Sequence, residues 1–215
     1  MPSTYASATY DADVIEHSLF ASQDKTISEE DIQRLLNGQI KIKDSLRIAI
    51  FNYSIYSQRN IYPKYYRTDE EYLKTQQAYI HTLTSQIENC KKIKKTFLMP
   101  SMMVDTKSSI TNLRETAVRL QADLLLVYNV KSDIYYKYKT FKADEAKAFA
   151  TIECFLMDTR TGLIPFTTIT TEESFMKKTS DDFTTDELRR NTEKEAVIKA
   201  LETIGVSLNG YLEGA

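Results

Sequence analysis

The stretch Ala122-Asp123-Leu124-Leu125-Leu126-Val127-Tyr128-Asn129-Val130 follows directly on the helical pattern of residues 113–121, with no turn-rich gap between the two. A dense run of apolar, β-favouring residues reads as a buried strand. It runs on through a charged continuation toward the turn Asp158-Thr159-Arg160-Thr161-Gly162. The order is therefore helix, core strand, antiparallel meander, and few folds accommodate that order.

Upstream of this stretch the pattern alternates strand and helix. Ser28 is a good N-cap, Glu29, Glu30 and Asp31 suit the positive end of a helix, and Ile27 with Ile32 has the spacing of a hydrophobic staple; this first helix ends at Gly38. Leu46 to Tyr53 forms a strand, and Thr68 with Glu71 is a capping box that opens a helix whose apolar positions are Tyr72, Leu73, Ile80, Leu83 and Ile87. Thr96 to Met99 is a second strand, stopped by Pro100, and Ser109 caps a helix faced by Ile110, Leu113, Ala117 and Leu120. Two successive strand-helix-strand units imply parallel pairing through right-handed crossovers.

After residue 122 consecutive strands are predicted at roughly 123–138, 145–158 and 163–176. In the middle one Ala146, Ala148, Ala150, Ile152, Cys154 and Leu156 share a face, opposite Glu145, Lys147, Thr151 and Glu153. That period of two marks a half-covered antiparallel sheet. Thr184 and Glu187 cap a long last helix carrying Leu188, Val197, Leu201, Ile204, Leu208 and Leu212. The expected fold class is α/β: a mixed sheet of about five strands, parallel crossovers first and then an antiparallel meander, with helices packed on the sheet. Residues 1–26 read as an extended arm or tether, with Tyr10, Val14, Ile15, Leu19 and Phe20 available to lie on the domain, and residues 27–215 as a single α/β domain.

A chain of 215 residues can bury about 70% of its unfolded surface without disulfide or metal staples. Its 27% charged and 42% hydrophobic residues are globular values, and a net charge of -2 gives no long-range attraction for nucleic acid or for an anionic membrane. No apolar run approaches the roughly 20 residues of a spanning helix. The start, Met1 to Ala8, has neither a basic nor an apolar region of a signal peptide. Taken literally this means cytoplasm, while the same small and polar residues fit the tether of an exported domain whose signal has been removed. Cys90 and Cys154 belong to no C-x-x-C pair and read as two separate thiols, Cys154 in a strand.

The inventory for chemistry is thin. His17 and His81 are the two histidines, and neither accompanies a nucleophile motif; the five glycines make no phosphate-cradling loop. No cofactor and no metal site is expected. Acids that meet only in the fold leave a glycan hydrolase as the competing class. The basic run Lys91, Lys92, Lys94 and Lys95 reads as the solvated end of a helix without the interleaved aromatics of a nucleic-acid site. Residues 134–141, rich in tyrosine, read as an exposed hairpin tip guarded by lysines, since charge follows where a barrel strand would need lipid-facing residues.

Tyrosines crowd the connection from Ser54 to Arg67, where Tyr56, Tyr62, Tyr65 and Tyr66 combine a rigid apolar ring with a polar tip. A connection of about fourteen residues exceeds the usual strand-to-helix length, and long loops are commonly functional. These four residues are the candidate partner-binding site, the alternative being rings that close the end of the sheet.

Strand Arg47 to Ile50, the block Leu113 to Tyr128 and the turn Asp158 to Gly162 also occur in an order that resembles the curli-secretion-lipoprotein-like and TolB amino-terminal-like domains of bacterial envelope lipoproteins. The resemblance covers residues 27–213 and rests on core and turn signatures. It implies a periplasmic or cell-surface domain, anchored by lipid, serving non-catalytically as a scaffold or regulator for an envelope protein partner or as a homo-oligomer. Pore formation does not carry over, because no second lipid-facing strand pair is present, and no functional residue is transferred.

Overall fold

The computed structural model describes residues 28–38, 40–54, 70–104, 109–137, 144–178 and 184–214. Helix α1 (Glu29–Leu36) precedes β1 (Leu46–Asn52), α2 (Glu70–Glu88), β2 (Ile93–Leu98), a 3-10 turn at Ser101–Met103, α3 (Ile110–Arg119), β3 (Leu124–Lys137), β4 (Glu145–Asp158), β5 (Phe166–Lys177) and α4 (Thr185–Gly214). The strands form one sheet in the order β2-β1-β3-β4-β5. β1 lies parallel to both β2 and β3, whereas β3 with β4 and β4 with β5 are antiparallel. This is the mixed sheet the sequence predicts, with parallel pairing confined to the first three strands.

Caps act where polar residues invite them. Ser28 accepts the Asp31 amide at 3.1 Å, Ser109 accepts that of Asn112 at 3.4 Å, and Thr184 accepts that of Glu187 at 3.1 Å. The direct passage from α3 into β3 has a local cause. Gln121 takes φ of 60°, Ala122 N–H donates to Ala117 at 3.0 Å and Gln121 N–H to Val118 at 2.8 Å, the Schellman pattern that ends a helix within two residues.

Two apolar layers sandwich the parallel part of the sheet. On one face Ile48, Ile50, Leu124, Leu126 and Tyr128 meet Tyr79, Leu83 and Ile87 of α2 and the apolar stripe of α4. On the other, Ala49, Phe51, Leu125, Val127 and Met157 meet Leu113 and Ala117 of α3. β3 is therefore buried on both faces from Leu124 to Tyr128.

Beyond that point only one face of the meander is covered. Ala146, Ala148, Ala150, Ile152, Cys154 and Leu156 are all buried, and α4 covers them: 30 helical residues extend about 45 Å, close to the reach of the 14-residue strand β4. Small residues allow the close fit. Ala196 and Ala200 of α4 pack in the same cluster as Ala148 and Ala150 of β4, and with Thr192 and Gly205 they complete a stripe that the larger residues alone had left broken.

The structure corrects three details. α2 buries Tyr79, Leu83 and Ile87, while Leu73 is half exposed, so its inward face is rotated from the Leu73/Ile80 line. β2 begins at Ile93, which places Lys94 and Lys95 in an edge strand and not at a helix end. β5 begins at Phe166, because residues 163–165 complete the turn. Cys90 and Cys154 are separate free thiols, Cys154 buried in its strand as expected and Cys90 buried as well, and burial pushes the Cys154 thiol up to about 12. Ile27 and Thr68, the tip residues 138–141 and the arm 1–26 lie outside the described residues.

Helices α2 and α4 touch where Gly205 meets Gln86. A Cβ placed on Gly205 would stand 2.4 Å from the Gln86 Cβ, a rigid atom at the root of its side chain. Gly205→Ala gains roughly 1 kcal/mol of helix propensity but overpacks this contact, which costs on the order of 1–3 kcal/mol. The expected outcome is a lower melting temperature by circular dichroism; an unchanged or higher one would mean that the two helices separate freely.

Candidate functional site

The residues that carry the turn and strand signatures meet at one end of the sheet. Asp123, at the entry to β3, accepts the Arg47 amide at 3.1 Å and the Arg47 guanidinium at 3.0 and 3.3 Å, and the Asp123 amide donates to Arg47 O at 2.7 Å. Thr159 donates its hydroxyl to the carbonyls of Ala122 and Asp123 at 2.8 and 2.9 Å. Asp158 accepts the Thr161 amide at 2.9 Å, and Gly162, at φ of 79°, returns its N–H to the Asp158 carbonyl at 2.8 Å. Arg114 of α3 closes the group by donating to the carbonyls of Thr159 and Arg160 at 2.7 and 2.6 Å.

The arrangement ties β1, β3, the β4–β5 turn and α3 together through their backbones. Hydrogen bonding to Arg47 holds the Asp123 carboxyl below its usual range, and burial opposes this. These polar groups are used in closing the sheet. That makes the signature structural.

Asp123→Ala leaves the Arg47 amide without its acceptor, at a cost of about 1–2 kcal/mol near neutral pH for a partly exposed pair. Because the folded pKa is depressed, the stabilisation is present above the unfolded carboxylate value near 4. It is lost as the pH falls through the lower folded value. Urea titrations of wild type and variant should differ at pH 7 and converge in strong acid; a constant gap would show that charge plays no part.

At the opposite end, where the parallel strands finish, Ser54 accepts the Val130 amide and donates to Asn129 at 3.1 Å. Nearby Glu193 of α4 accepts the Ser132 hydroxyl. Burial pushes the Glu193 carboxyl above the ordinary range, Ser132 and Arg189 oppose the rise, and Asp133 adds to it. Tyr79 is raised by burial first and by Glu193 second. The Tyr53–Ser54 turn leads toward the tyrosine segment, but Tyr56, Tyr62, Tyr65 and Tyr66 lie outside the described residues.

Sequence reasoning read the meander as half covered, with Lys147, Thr151 and Glu153 on its open face, but did not treat that face as a site. Along it, residues 131, 133 and 135 of β3, alternate residues 147–155 of β4 and residues 167–177 of β5 point away from α4. Tyr135 and Phe149 stack edge to face at 5.8 Å, Lys147 sits 4.7 Å over the Phe149 ring and 2.7 Å from Glu173, and Lys131 pairs with Glu153 at 2.9 Å. Tyr135, Ile169 and Phe175 are 58%, 72% and 54% exposed. The signal present was Ile169 and Phe175 at odd positions of β5, apolar residues standing among Thr167, Thr171, Glu173 and Lys177 on the face turned away from α4.

Among the described residues no group of three His, Cys, Asp or Glu side chains could hold a metal. Two depressions among the described residues are shallow. One, of about 370 Å³, lies between α4 and β5 at Glu172, Lys199, Thr203 and Val206; the other, of about 200 Å³, lies at Tyr135, Lys147 and Phe175. Neither includes Glu193.

No protein-family profile and no curated protein matches the sequence. Solved structures similar to it include the Chlamydia trachomatis protein CT253, with 9% identity over 80% of this chain and 99% of that one, at a TM-score of 0.45. A minor lipoprotein of Acinetobacter baumannii matches with 9% identity over 77% and 93%, at a TM-score of 0.39. The lipoprotein GNA1162 of Neisseria meningitidis matches with 10% identity over 74% and 99%, at 0.34. Bacterial lipoproteins are thus among the similar structures, and scores this low carry no argument about activity or partner.

Proposed function

We propose that this chain is a non-catalytic domain of a bacterial envelope lipoprotein, of the curli-secretion-lipoprotein-like or TolB amino-terminal-like kind, which acts as a scaffold or regulator by binding another envelope protein. The observation that carries this reading is the division of labour among polar groups. Arg47, Asp123, Arg114, Asp158 and Thr159, which bear the family resemblance, are engaged with one another and with backbone, and what the surface offers is an aromatic sheet face and shallow depressions. A surface of rings flanked by paired charges suits protein contact more than chemistry on a small substrate. No described helix is long and apolar enough to cross a membrane, so on this reading attachment is by lipid.

Two measurements test it. Metabolic labelling of the full-length gene product in its host with an alkyne palmitate should give a lipid-labelled band in the envelope fraction; an unlabelled product in the cytosolic fraction would overturn the localisation. The tyrosine segment is retained as the partner-facing element. Replacing Tyr62 and Tyr65 by Ala should weaken capture of the envelope partner and leave the melting temperature nearly unchanged, whereas a stability loss of about 3–5 kcal/mol with capture intact would assign the rings to packing.

A glycan hydrolase is the second reading, and Glu193 is the observation that favours it: a desolvated carboxyl with Asp133 in its field is how a general acid is made. Against it, the carboxyl is engaged by Ser132 and lines neither depression. Incubation with purified peptidoglycan should release no soluble fragments, and release abolished by Glu193→Gln would establish the enzyme instead.

A further inference from the structure

β5 is an edge strand of the described sheet. Among the described residues it pairs with β4 alone. The other edge, β2, is six residues long and carries exposed Lys94 and Lys95, a usual defence against edge pairing. β5 is 12 residues long, Phe166–Lys177, with no proline and no lysine before its last position. Such an edge is a template for another strand.

The direction of its free backbone groups follows from the ladder. Lys178 N–H donates to Asp144 O at 2.8 Å, and the register from Phe166 to Lys177 against β4 has no shift. In an antiparallel strand the N–H and C=O of one residue point to the same side and alternate along the chain. Even-numbered residues therefore bond β4, and Thr167, Ile169, Thr171, Glu173, Phe175 and Lys177 aim their amides and carbonyls outward.

A second copy of this chain can meet that edge across a two-fold axis, and charge selects the register. Centring the axis on Glu172 or Glu173 sets like charges opposite each other, which is destabilising. Centring it on Phe175 sets Phe175 against Phe175 of the second copy, Glu173 against Lys177 and Glu172 against Lys178, each ion pair occurring twice by symmetry. Glu173 and Lys177 belong to the open face, Glu172 and Lys178 to the face of α4, so both sides of the junction are complementary. The outward-aimed residues 173, 175 and 177 are then the ones that exchange hydrogen bonds.

We propose that this chain forms a two-fold symmetric dimer by antiparallel β5–β5 pairing centred on Phe175, which joins two five-stranded sheets into one continuous sheet and extends the open aromatic face across both copies. The interface is isologous, so it closes at two copies. It stands apart from the envelope reading, since it requires neither export nor a second protein.

Sedimentation equilibrium on the purified chain should give a concentration-dependent dimer that weakens as salt screens the exposed ion pairs. Lys177→Glu with Lys178→Glu makes the segment wholly acidic, and Glu172→Lys with Glu173→Lys makes it wholly basic. Each should be monomeric alone, and an equimolar mixture should recover the dimer mass. Phe175→Pro removes an outward N–H and leaves the β4 ladder intact, so it should be monomeric with an unchanged circular dichroism spectrum. Phe175→Cys should form an interchain disulfide under mild oxidation, because a hydrogen-bonded antiparallel pair holds its Cα atoms about 5.5 Å apart. A wild type that stays monomeric at every concentration, a dimer indifferent to Phe175→Pro, or charge variants that fail to pair with each other would overturn the proposal.

Discussion

The burial of β3 on both faces is the constraint on which the rest depends. Leu124 to Tyr128 has no polar side to turn to water, and such a strand is stable only between two covering layers. The strand-helix-strand crossovers supply them: α2 and later α4 cover one face, and α3 the other. Once past Tyr128 the sequence becomes charged at alternate positions, and the requirement for a second layer lapses. One end of the sheet is consequently a three-layer structure and the other a two-layer one with an open face.

That change of thickness explains the use of the long last helix. The covered face of β4 begins with the small residues Ala146, Ala148 and Ala150, so a helix can lie close to it, and α4 answers with Ala196 and Ala200, while Gly205 lets the same helix lie close to Gln86 of α2. Packing at interior density leaves little tolerance there. The same closeness half-buries Glu193, and the Ser132 hydroxyl and Arg189 oppose the resulting rise of its carboxyl. Stability and the perturbed carboxyl thus have one geometric origin.

The polar network around Asp123 works differently from the apolar layers. It adds modest free energy, but it fixes where β1, β3 and the β4–β5 turn begin relative to one another, because Asp123 and Thr159 bind backbone groups and not merely other side chains. A shift of one residue would turn every side chain of a strand to the wrong face.

By itself the sequence determined the element order, the parallel-then-antiparallel sheet, the caps at Ser28, Ser109 and Thr184 and the inward face of β4, because hydrophobic period and capping chemistry are local. The tyrosine segment was legible only as composition. The sequence missed the turn of α2 toward Tyr79, since Leu73 and Tyr79 are equally apolar and only the angle at which α2 meets α4 chooses between them. It missed Glu193, which is one acid among many until α4 is laid against Ser132. It also could not show that β5 stands at the end of the sheet and, among the described residues, pairs with β4 alone. Strand order depends on contacts between residues far apart in the chain, and those exist only once the tertiary structure has formed.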